Sequence, residues 1–220
     1  MEAPLGILLL CVMPAALGYT SGPPVSSNDN LCTDMVPDGH NGGVSLATDQ
    51  ASPPYAITTS TREYYAGAFV RVTITGSDSN RFTGFFIQAR RADTSQDNDV
   101  AVGTFSGIPA NTQLLMCHGV ANSAWGHSNK DERSSVTATW NAPNQDEGPV
   151  EFLATIVKGE PNRNYFYLDV KSPQVNFTNE APPVSDGTTS SPSAGSANTS
   201  SCAFVVLAVT LPVLFAMHFN

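Results

Sequence analysis

The stretch "AFVRVTITG" at residues 68–76 decides the fold class of this chain. Its side chains alternate with a period of two, which is the period of a β-strand and not of a helix. One set is uniformly aliphatic and the other is mixed: Val70, Val72 and Ile74 against Phe69, Arg71, Thr73 and Thr75. We expect the aliphatic set to face a hydrophobic core and the mixed set to point away from it.

Five further runs have the same strand-like composition, at residues 84–92, 113–120, 134–140, 150–158 and 165–177. Two of them have an apolar face, formed by Val136, Ala138 and Trp140 in one and by Phe152, Ala154 and Ile156 in the other. Turn-forming segments rich in Gly, Pro and Asn separate the runs, and no helical period is evident outside the two ends of the chain. Pro173 indicates an edge strand or a bulge in the last run. The sequence therefore predicts an all-β fold, an antiparallel β-sandwich.

The N-terminal apolar run at residues 5–17 has the length of a signal-peptide core and is too short for the ~20 residues of a membrane-spanning helix. Small residues follow it, so we predict a signal peptide at 1–18 with cleavage after Gly18. The segment before the run carries Glu2 and no Lys or Arg, which departs from the usual pattern. The alternative is a buried strand or helix of a cytosolic protein.

The C-terminal run at residues 203–219 carries no formal charge, and no Lys or Arg follows it. Before it, residues 179–201 are rich in Ser, Thr, Pro, Gly and Ala, which predicts a disordered stalk. Small residues, a polar spacer and a hydrophobic tail are the signal for a glycosylphosphatidylinositol (GPI) anchor. We predict attachment at Gly195 or Ser196, with 202–220 as the anchor-signal tail or, alternatively, as a short transmembrane helix. The globular domain is then 19–178, on the extracellular side of the plasma membrane and held to the outer leaflet by lipid.

Charge and cysteine content restrict the partners and the compartment. A net charge of −9 disfavours nucleic acid, heparin-like polysaccharide and anionic membrane surfaces, all of which repel an acidic domain. Once both ends are removed, Cys32 and Cys117 remain, and no CxxC motif accompanies them. A secreted pair of this kind is typically disulfide-bonded; a metal pair or a free thiol are the alternatives.

Eight ordered fragments of the sequence resemble a reeler (reelin-type) domain. They are "CTDMVPDGHNG" (32–42), "PPYAIT" (53–58), "FTGFFIQAR" (82–90), "GTF" (103–105), "LLMCHG" (114–119), "GHSNKDERSSVTATWNAP" (126–143), "GPVEFLATIV" (148–157) and "NYFYLDVKSPQV" (164–175). The resemblance implies an immunoglobulin-like sandwich and a disulfide between Cys32 and Cys117. Such domains occur in matrix and adhesion proteins, in small invertebrate defence proteins and at the front of ferric-chelate reductases. The 220 residues hold no haem-ligating helix bundle, so we expect no ferric reduction from them.

Catalytic motifs are missing from the sequence: there is no G-x-S-x-G, P-loop, dinucleotide fingerprint or H-E-x-x-H. We predict no catalytic residue, no metal site and no cofactor. Trp125 and His127 are the candidate ligand surface, with loop packing as the alternative for Trp125. Two sequons predict glycosylation at Asn176 and Asn198.

These features together predict a non-enzymatic cell-surface binding module. Its ligand would be a protein or a microbial surface, which suggests a role in innate defence. Two alternatives remain: an adhesion or matrix module, and an accessory relative of ferric-chelate reductases that presents metal.

Overall fold

The computed structural model describes residues 20–40, 43–44, 46–77 and 79–181. The predicted signal peptide, Gly195, Ser196, Asn198 and the 202–220 tail lie outside the described residues. The described elements are α1 (Leu31–Asp34), β1 (Tyr55–Thr59), β2 (Glu63–Tyr64), β3 (Phe69–Gly76), β4 (Phe82–Arg91), β5 (Thr104–Ser106), β6 (Thr112–Cys117), β7 (Val120–His127), β8 (Ser135–Asn141), β9 (Val150–Lys158), β10 (Phe166–Lys171) and β11 (Asn176–Phe177). The all-β prediction is confirmed.

Two antiparallel sheets pack face to face. The four-stranded sheet has the order β1-β3-β8-β5 and the five-stranded sheet the order β10-β9-β4-β7-β6. A short parallel pair, β2 with β11, lies apart from both sheets. This is the predicted immunoglobulin-like sandwich, with antiparallel pairing throughout its two main sheets.

The core between the sheets is built from the predicted alternation. Val70, Val72 and Ile74 of β3 are fully buried. From the opposite sheet, Phe152 packs edge-on against Trp140 of β8, with ring centroids 5.5 Å apart. The apolar faces predicted for the runs at 134–140 and 150–158 are both part of this core.

One predicted run is in fact a hairpin. Residues 113–120 span most of β6, a two-residue turn and the first residue of β7, with Cys117 paired to Val120. His118 and Gly119 at the turn have φ of 51° and 75°. Two consecutive positive φ values match the right-handed twist of hairpin strands, and this turn chemistry was not recognised from the sequence. The single turn of α1 was also missed, because one turn is too short to show a helical period.

The last predicted run, at residues 165–177, contains both an edge strand and a bulge, the two features that Pro173 indicated. β10 is an edge strand of the five-stranded sheet and stops at Lys171. Its pairing with β9 shifts register between Tyr167 and Val170, and Asp169 has a φ of 54°, so a bulge is present as well. Both parts of that prediction are confirmed, with the bulge before the proline.

A segment that we call the N-terminal strap (residues 20–40) covers the outer face of the five-stranded sheet. Leu31 and Met35 of the strap pack with Phe86, Leu115 and Leu153 in a second hydrophobic cluster. As a result both faces of β4 and β9 are buried, and their burial does not alternate. The strap leaves the other sheet uncovered.

Candidate binding face on the four-stranded sheet

The strap is held to its sheet by covalent and polar anchors. Cys32 and Cys117 form a disulfide with 5.4 Å between their Cα atoms, so they are neither a metal pair nor free thiols. Thr155 donates to the carbonyl oxygen of Met35 at 2.7 Å. At the start of the strap, the Gln113 amide donates to the carbonyl oxygen of Ser21 at 2.8 Å.

A buried arginine adds to these anchors. The Arg90 guanidinium donates to the carbonyl oxygens of Cys32 and Thr33 at 2.8 and 2.9 Å and to Oε1 of Gln88 at 2.9 Å. The Gln88 amide in turn donates to Sγ of Cys117 at 3.1 Å. Burial lowers the pKa of Arg90, although an arginine remains charged at neutral pH. This network holds the strap in place, so the five-stranded sheet presents little of its own surface to a ligand.

The outer face of the four-stranded sheet, in contrast, is open and dominated by hydroxyl groups. Its burial alternates strictly along β3 and β8, with every second side chain directed outward. We call this surface the hydroxyl face and define it by its Ser and Thr side chains: Thr58, Thr73, Thr75, Thr104, Ser106, Ser135, Thr137 and Thr139. The sequence placed Thr73 and Thr75 on an outward face but did not single out this surface as a site. The Thr-x-Thr spacing in both β3 and β8 is the signal that could have found it.

Strand register arranges the hydroxyls in rows. Thr58, Thr73 and Thr137 stand opposite one another on β1, β3 and β8. Neighbours in such a row are ~4.8 Å apart, and rows repeat every ~6.8 Å along the strands, because strand spacing and rise fix both distances. The face is therefore a regular array of hydroxyls, with a cavity of about 520 Å³ at one end that Ser135 and Thr137 help to line.

Hydrogen bonds within the face hold its side chains in place. The Thr73 and Thr137 hydroxyl oxygens are 2.9 Å apart, and those of Thr75 and Ser135 are 3.3 Å apart. At the other end of the face, Ser106 donates to Oδ1 of Asn141 at 3.0 Å. A hydroxyl has one donor and two acceptor positions, so each of these groups keeps capacity for a ligand. The array is thus ordered before anything binds.

The charge of the face differs from that of the whole chain. The chain carries a net charge of −9, yet none of β1, β3, β5 and β8 contains an Asp or a Glu. Arg71, which lies on the hydroxyl face, is the one charged side chain in these strands, and it forms no ion pair with another described residue. The nearby carboxylates Asp131 and Glu132 precede β8 and border one end of the face, where they line a cavity together with Ser135 and Thr137.

One exposed aromatic ring lies on the hydroxyl face. Phe69 points outward at the start of β3, opposite Asn141 of β8, and is 75 % exposed. Phe69 is the most exposed Phe, Trp or Tyr side chain among the described residues, and Tyr165 follows at 46 %. Burying such a ring against a ligand would remove apolar area from water, which favours binding.

The prediction that Trp125 belongs to a ligand surface is wrong. Trp125 lies in the middle of β7 with 0 % exposure and points into the core, where it packs edge-on against Phe85 at 4.8 Å. The strap covers the other side of β7 at Ala124, so both faces are apolar and the alternation that reveals a buried residue is lost. Its indole N–H is buried without a hydrogen-bond partner among the described residues.

His127 ends β7 and is half-buried. Its Nδ1 accepts the Phe85 N–H at 3.1 Å. With His40 it borders an apolar cavity of about 40 Å³ beneath the strap, which has room for a few water molecules and is far below the ~300–1,000 Å³ of a ligand pocket. Burial lowers the pKa of His40. A role for His127 in ligand contact stays a prediction.

His118 lies apart from the cavity that His40 and His127 share. His118 sits in the β6–β7 turn, where its Nε2 lies 3.1 Å from Oγ1 of Thr33. Within the part of the chain that the structure describes, no three His, Cys, Asp or Glu side chains gather closely enough to hold a metal ion. Nor does any helix among the described residues have the length and apolar character needed to cross a membrane.

The reeler-domain family model matches residues 30–183 of this chain. This chain belongs to the reeler-domain family. The fold agrees: the human F-spondin reeler domain superimposes with a TM-score of 0.50 at 21 % identity, over 61 % of this chain and 96 % of that one.

The curated relatives that this chain matches include defence proteins and ferric-chelate reductases. "Putative defense protein Hdd11" of Hyphantria cunea is 31 % identical over 171 residues, which are 76 % of this chain and 93 % of that protein. "Ferric-chelate reductase 1" of Bos taurus is 30 % identical over 178 residues, which are 80 % of this chain and 27 % of that protein. The chain spans about a quarter of the length of the ferric-chelate reductases that it matches.

Asn176 lies where the reeler domain meets the predicted stalk. Its side chain is exposed in β11, while its backbone N–H donates to the carbonyl oxygen of Arg62 at 2.9 Å. The position is accessible to an oligosaccharyltransferase, and the predicted glycan there stays a prediction.

Proposed function

We propose that this reeler domain is a non-catalytic binding module displayed outside the cell, and that it contacts its ligand with the hydroxyl face. The observation that carries the proposal is the asymmetry of the sandwich. One outer face is largely covered by the strap, whereas the strands of the other present ordered hydroxyls, an exposed Phe69 and no carboxylate. Ligand contacts on a rigid, pre-ordered surface cost little conformational entropy.

A role in defence through recognition of microbial surfaces is supported by the extent of the matches. The alignment with Hdd11 runs over nearly the whole of that protein, so a reeler domain accounts for most of it. The reductases match over about a quarter of their length, and we do not carry their activity to this chain. The face supports binding and offers no obvious catalytic group, since Ser106 donates to an asparagine and not to a histidine.

For the location, we propose secretion followed by GPI anchoring near Gly195 or Ser196. The disulfide is typical of an oxidising, extracellular compartment. The composition of the C-terminal residues supports the anchor. Treating intact expressing cells with phosphatidylinositol-specific phospholipase C should release the protein into the medium. Retention on the cells after that treatment contradicts the anchor and leaves the binding proposal to its own test.

The binding proposal is tested by changing the charge of the face without touching the core. Thr137→Glu places a carboxylate at the centre of the hydroxyl face, and Thr94→Glu places the same charge in an exposed loop that already carries Asp93 and Asp97. We expect the wild-type domain and Thr94→Glu to sediment with yeast or bacterial cells, and Thr137→Glu to lose at least tenfold in binding. Equal binding by the two variants, with both shown to be folded by circular dichroism, would reject the hydroxyl face as the contact surface.

A further inference from the structure

We propose that the hydroxyl face binds an uncharged polysaccharide, which lies flat on the sheet with one sugar ring stacked on Phe69. This inference rests on the proposed function and specifies its ligand. It is argued from the composition, charge and geometry of the face.

The composition of the face disfavours a protein partner. The cores of protein–protein interfaces are enriched in Trp, Tyr, Phe, Met and Arg and depleted in Ser, and Thr is rare among hot-spot residues. The hydroxyl face has two residues of the enriched types, Phe69 and Arg71, while Ser and Thr hydroxyls cover its centre. Hydroxyls that both donate and accept hydrogen bonds match the hydroxyls of a sugar, which do the same.

Charge complementarity favours a neutral polymer over an anionic one. A sulfated or carboxylated polysaccharide would be repelled by an acidic chain with a net charge of −9, and the single Arg71 on the face does not offset that repulsion. A neutral chain meets no carboxylate on β1, β3, β5 or β8 and loses no favourable ion pair on binding. Arg71 can donate hydrogen bonds to sugar oxygens without requiring a charged partner.

Phe69 provides the apolar part of the site. The faces of pyranose rings present C–H groups, which are attracted to the electron-rich face of an aromatic ring. Phe69 is 75 % exposed and is the first of the outward side chains along β3. Arg71, Thr73 and Thr75 follow it on the same side of the strand. A sugar ring on Phe69 therefore continues onto the hydroxyl rows without leaving the plane of the sheet.

Repetition is a further property that the face and a polysaccharide share. Rows of hydroxyls repeat every ~6.8 Å along the strands and ~4.8 Å across them. A polymer of identical units can place the same groups over successive rows, because its own repeat is built into its covalent structure. The cross-strand pairs Thr73–Thr137 and Thr75–Ser135 already fix the rotamers that such a ligand needs.

The test uses neutral polysaccharides in insoluble form as probes: cellulose, chitin, curdlan and bead-coupled unphosphorylated mannan, with heparin and alginate beads as anionic comparisons. The full-length secreted domain should bind at least one neutral polymer and neither anionic one. Binding should change less than twofold between 0.05 and 0.5 M salt, since an uncharged ligand has no attraction to be screened.

Variants with small structural effects locate the site. Phe69→Ala should weaken binding about tenfold by removing the stacking platform. The double variant Thr73→Val, Thr137→Val keeps the β-branched shape and removes two hydroxyls, and should weaken binding at least fivefold. Thr94→Val, in an exposed loop, is the matched control and should bind like the wild type.

Three outcomes overturn the inference: no binding to any of the four neutral polymers, binding to the anionic beads alone, or binding that Phe69→Ala and the double valine variant leave unchanged. Two further outcomes separate failure of this inference from failure of the proposed function. If Thr137→Glu loses binding to cells, and protease treatment of those cells also abolishes it while neutral polymers do not bind, the face is the contact surface and its ligand is a protein. If Thr137→Glu binds cells as Thr94→Glu does, the face itself is rejected.

Discussion

Arg90 of β4 donates a hydrogen bond of 2.8 Å to the carbonyl oxygen of Cys32 in the N-terminal strap. The same guanidinium reaches Thr33 and Gln88, and the Gln88 amide reaches the sulfur of Cys117. One buried cation thus links the strap, the disulfide and the sheet. Because the strap closes the five-stranded sheet, this contact also determines which outer face of the sandwich stays open.

Replacing Arg90 should therefore loosen the strap. In Arg90→Met the carbonyl oxygens of Cys32 and Thr33 and the Gln88 side chain lose their buried partner, and we expect about 2–4 kcal/mol less free energy of unfolding. Hydrogen exchange at residues 31–35 should accelerate more than exchange in the core strands. Arg71→Met, which removes a cation from the open face, is the control and should leave both quantities unchanged. Equal effects of the two variants would show that the strap does not depend on Arg90.

The disulfide should contribute more than any single hydrogen bond. Cys32 and Cys117 are separated by 85 residues, so their bond restricts a long loop in the unfolded chain. In the chain-entropy model its removal in the double variant Cys32→Ser, Cys117→Ser costs about 4–5 kcal/mol. Urea unfolding measured by tryptophan fluorescence gives the difference. A loss below ~1 kcal/mol would mean that packing of Leu31 and Met35 alone holds the strap.

Two aromatic residues should respond to alanine in opposite ways. Trp125 is fully buried between the sheets, and Trp125→Ala should cost about 3–5 kcal/mol because it leaves a large cavity. Phe69→Ala removes a ring that is 75 % exposed and should change stability by less than ~0.5 kcal/mol. Thermal melts of both variants make the comparison. A stable Trp125→Ala variant would be incompatible with the core described above.

Buried tyrosines should make the domain sensitive to alkaline pH. Burial raises the pKa of Tyr55 and of Tyr64 to about 12. Both folded-state pKa values lie above the ~10 of an unfolded tyrosine, so the stabilisation is fully present below pH 10 and is lost as the pH rises from about 10 to 12. Urea midpoints between pH 8 and 12 should fall in that window. Tyr64→Phe should reduce the slope, at the cost of the 2.7 Å bond that the Tyr64 hydroxyl donates to the carbonyl oxygen of Gly148.

Glycosylation at Asn176 is expected when the chain is made in a secretory host. Asn176 is exposed, and the sequon residue Thr178 follows β11 directly. Asn176→Gln and Thr178→Ala should each remove one glycan, seen as the same decrease in mass. Asn144→Gln, an exposed asparagine outside any sequon, should leave the mass of the glycoprotein unaltered apart from the substitution. A mass difference between wild type and Asn176→Gln no larger than that of the substitution itself, before enzymatic deglycosylation, would exclude this site.

The sequence predicted those strands in which buried and exposed side chains alternate. Val70, Val72 and Ile74 were assigned to the core, and Phe69, Arg71, Thr73 and Thr75 to the outside, because the four-stranded sheet has one buried and one open face. The prediction failed for Trp125 and for the 113–120 hairpin. At Trp125 the strap buries the outer face of the sheet as well, so the pattern of alternating polar and apolar residues disappears. In the hairpin the cause is the turn at His118 and Gly119, whose positive φ values were not recognised from the sequence.

By itself, then, the sequence determined the fold class, the family and the pairing of Cys32 with Cys117, since each depends on residue types and their order along the chain. Only the tertiary structure decided which outer face is closed and which hydroxyls stand together. Strap packing and strand register are contacts between residues far apart in the chain, such as Arg90 with Cys32 and Thr73 with Thr137. Local composition does not encode such pairings, because they exist only after the two sheets and the strap have assembled.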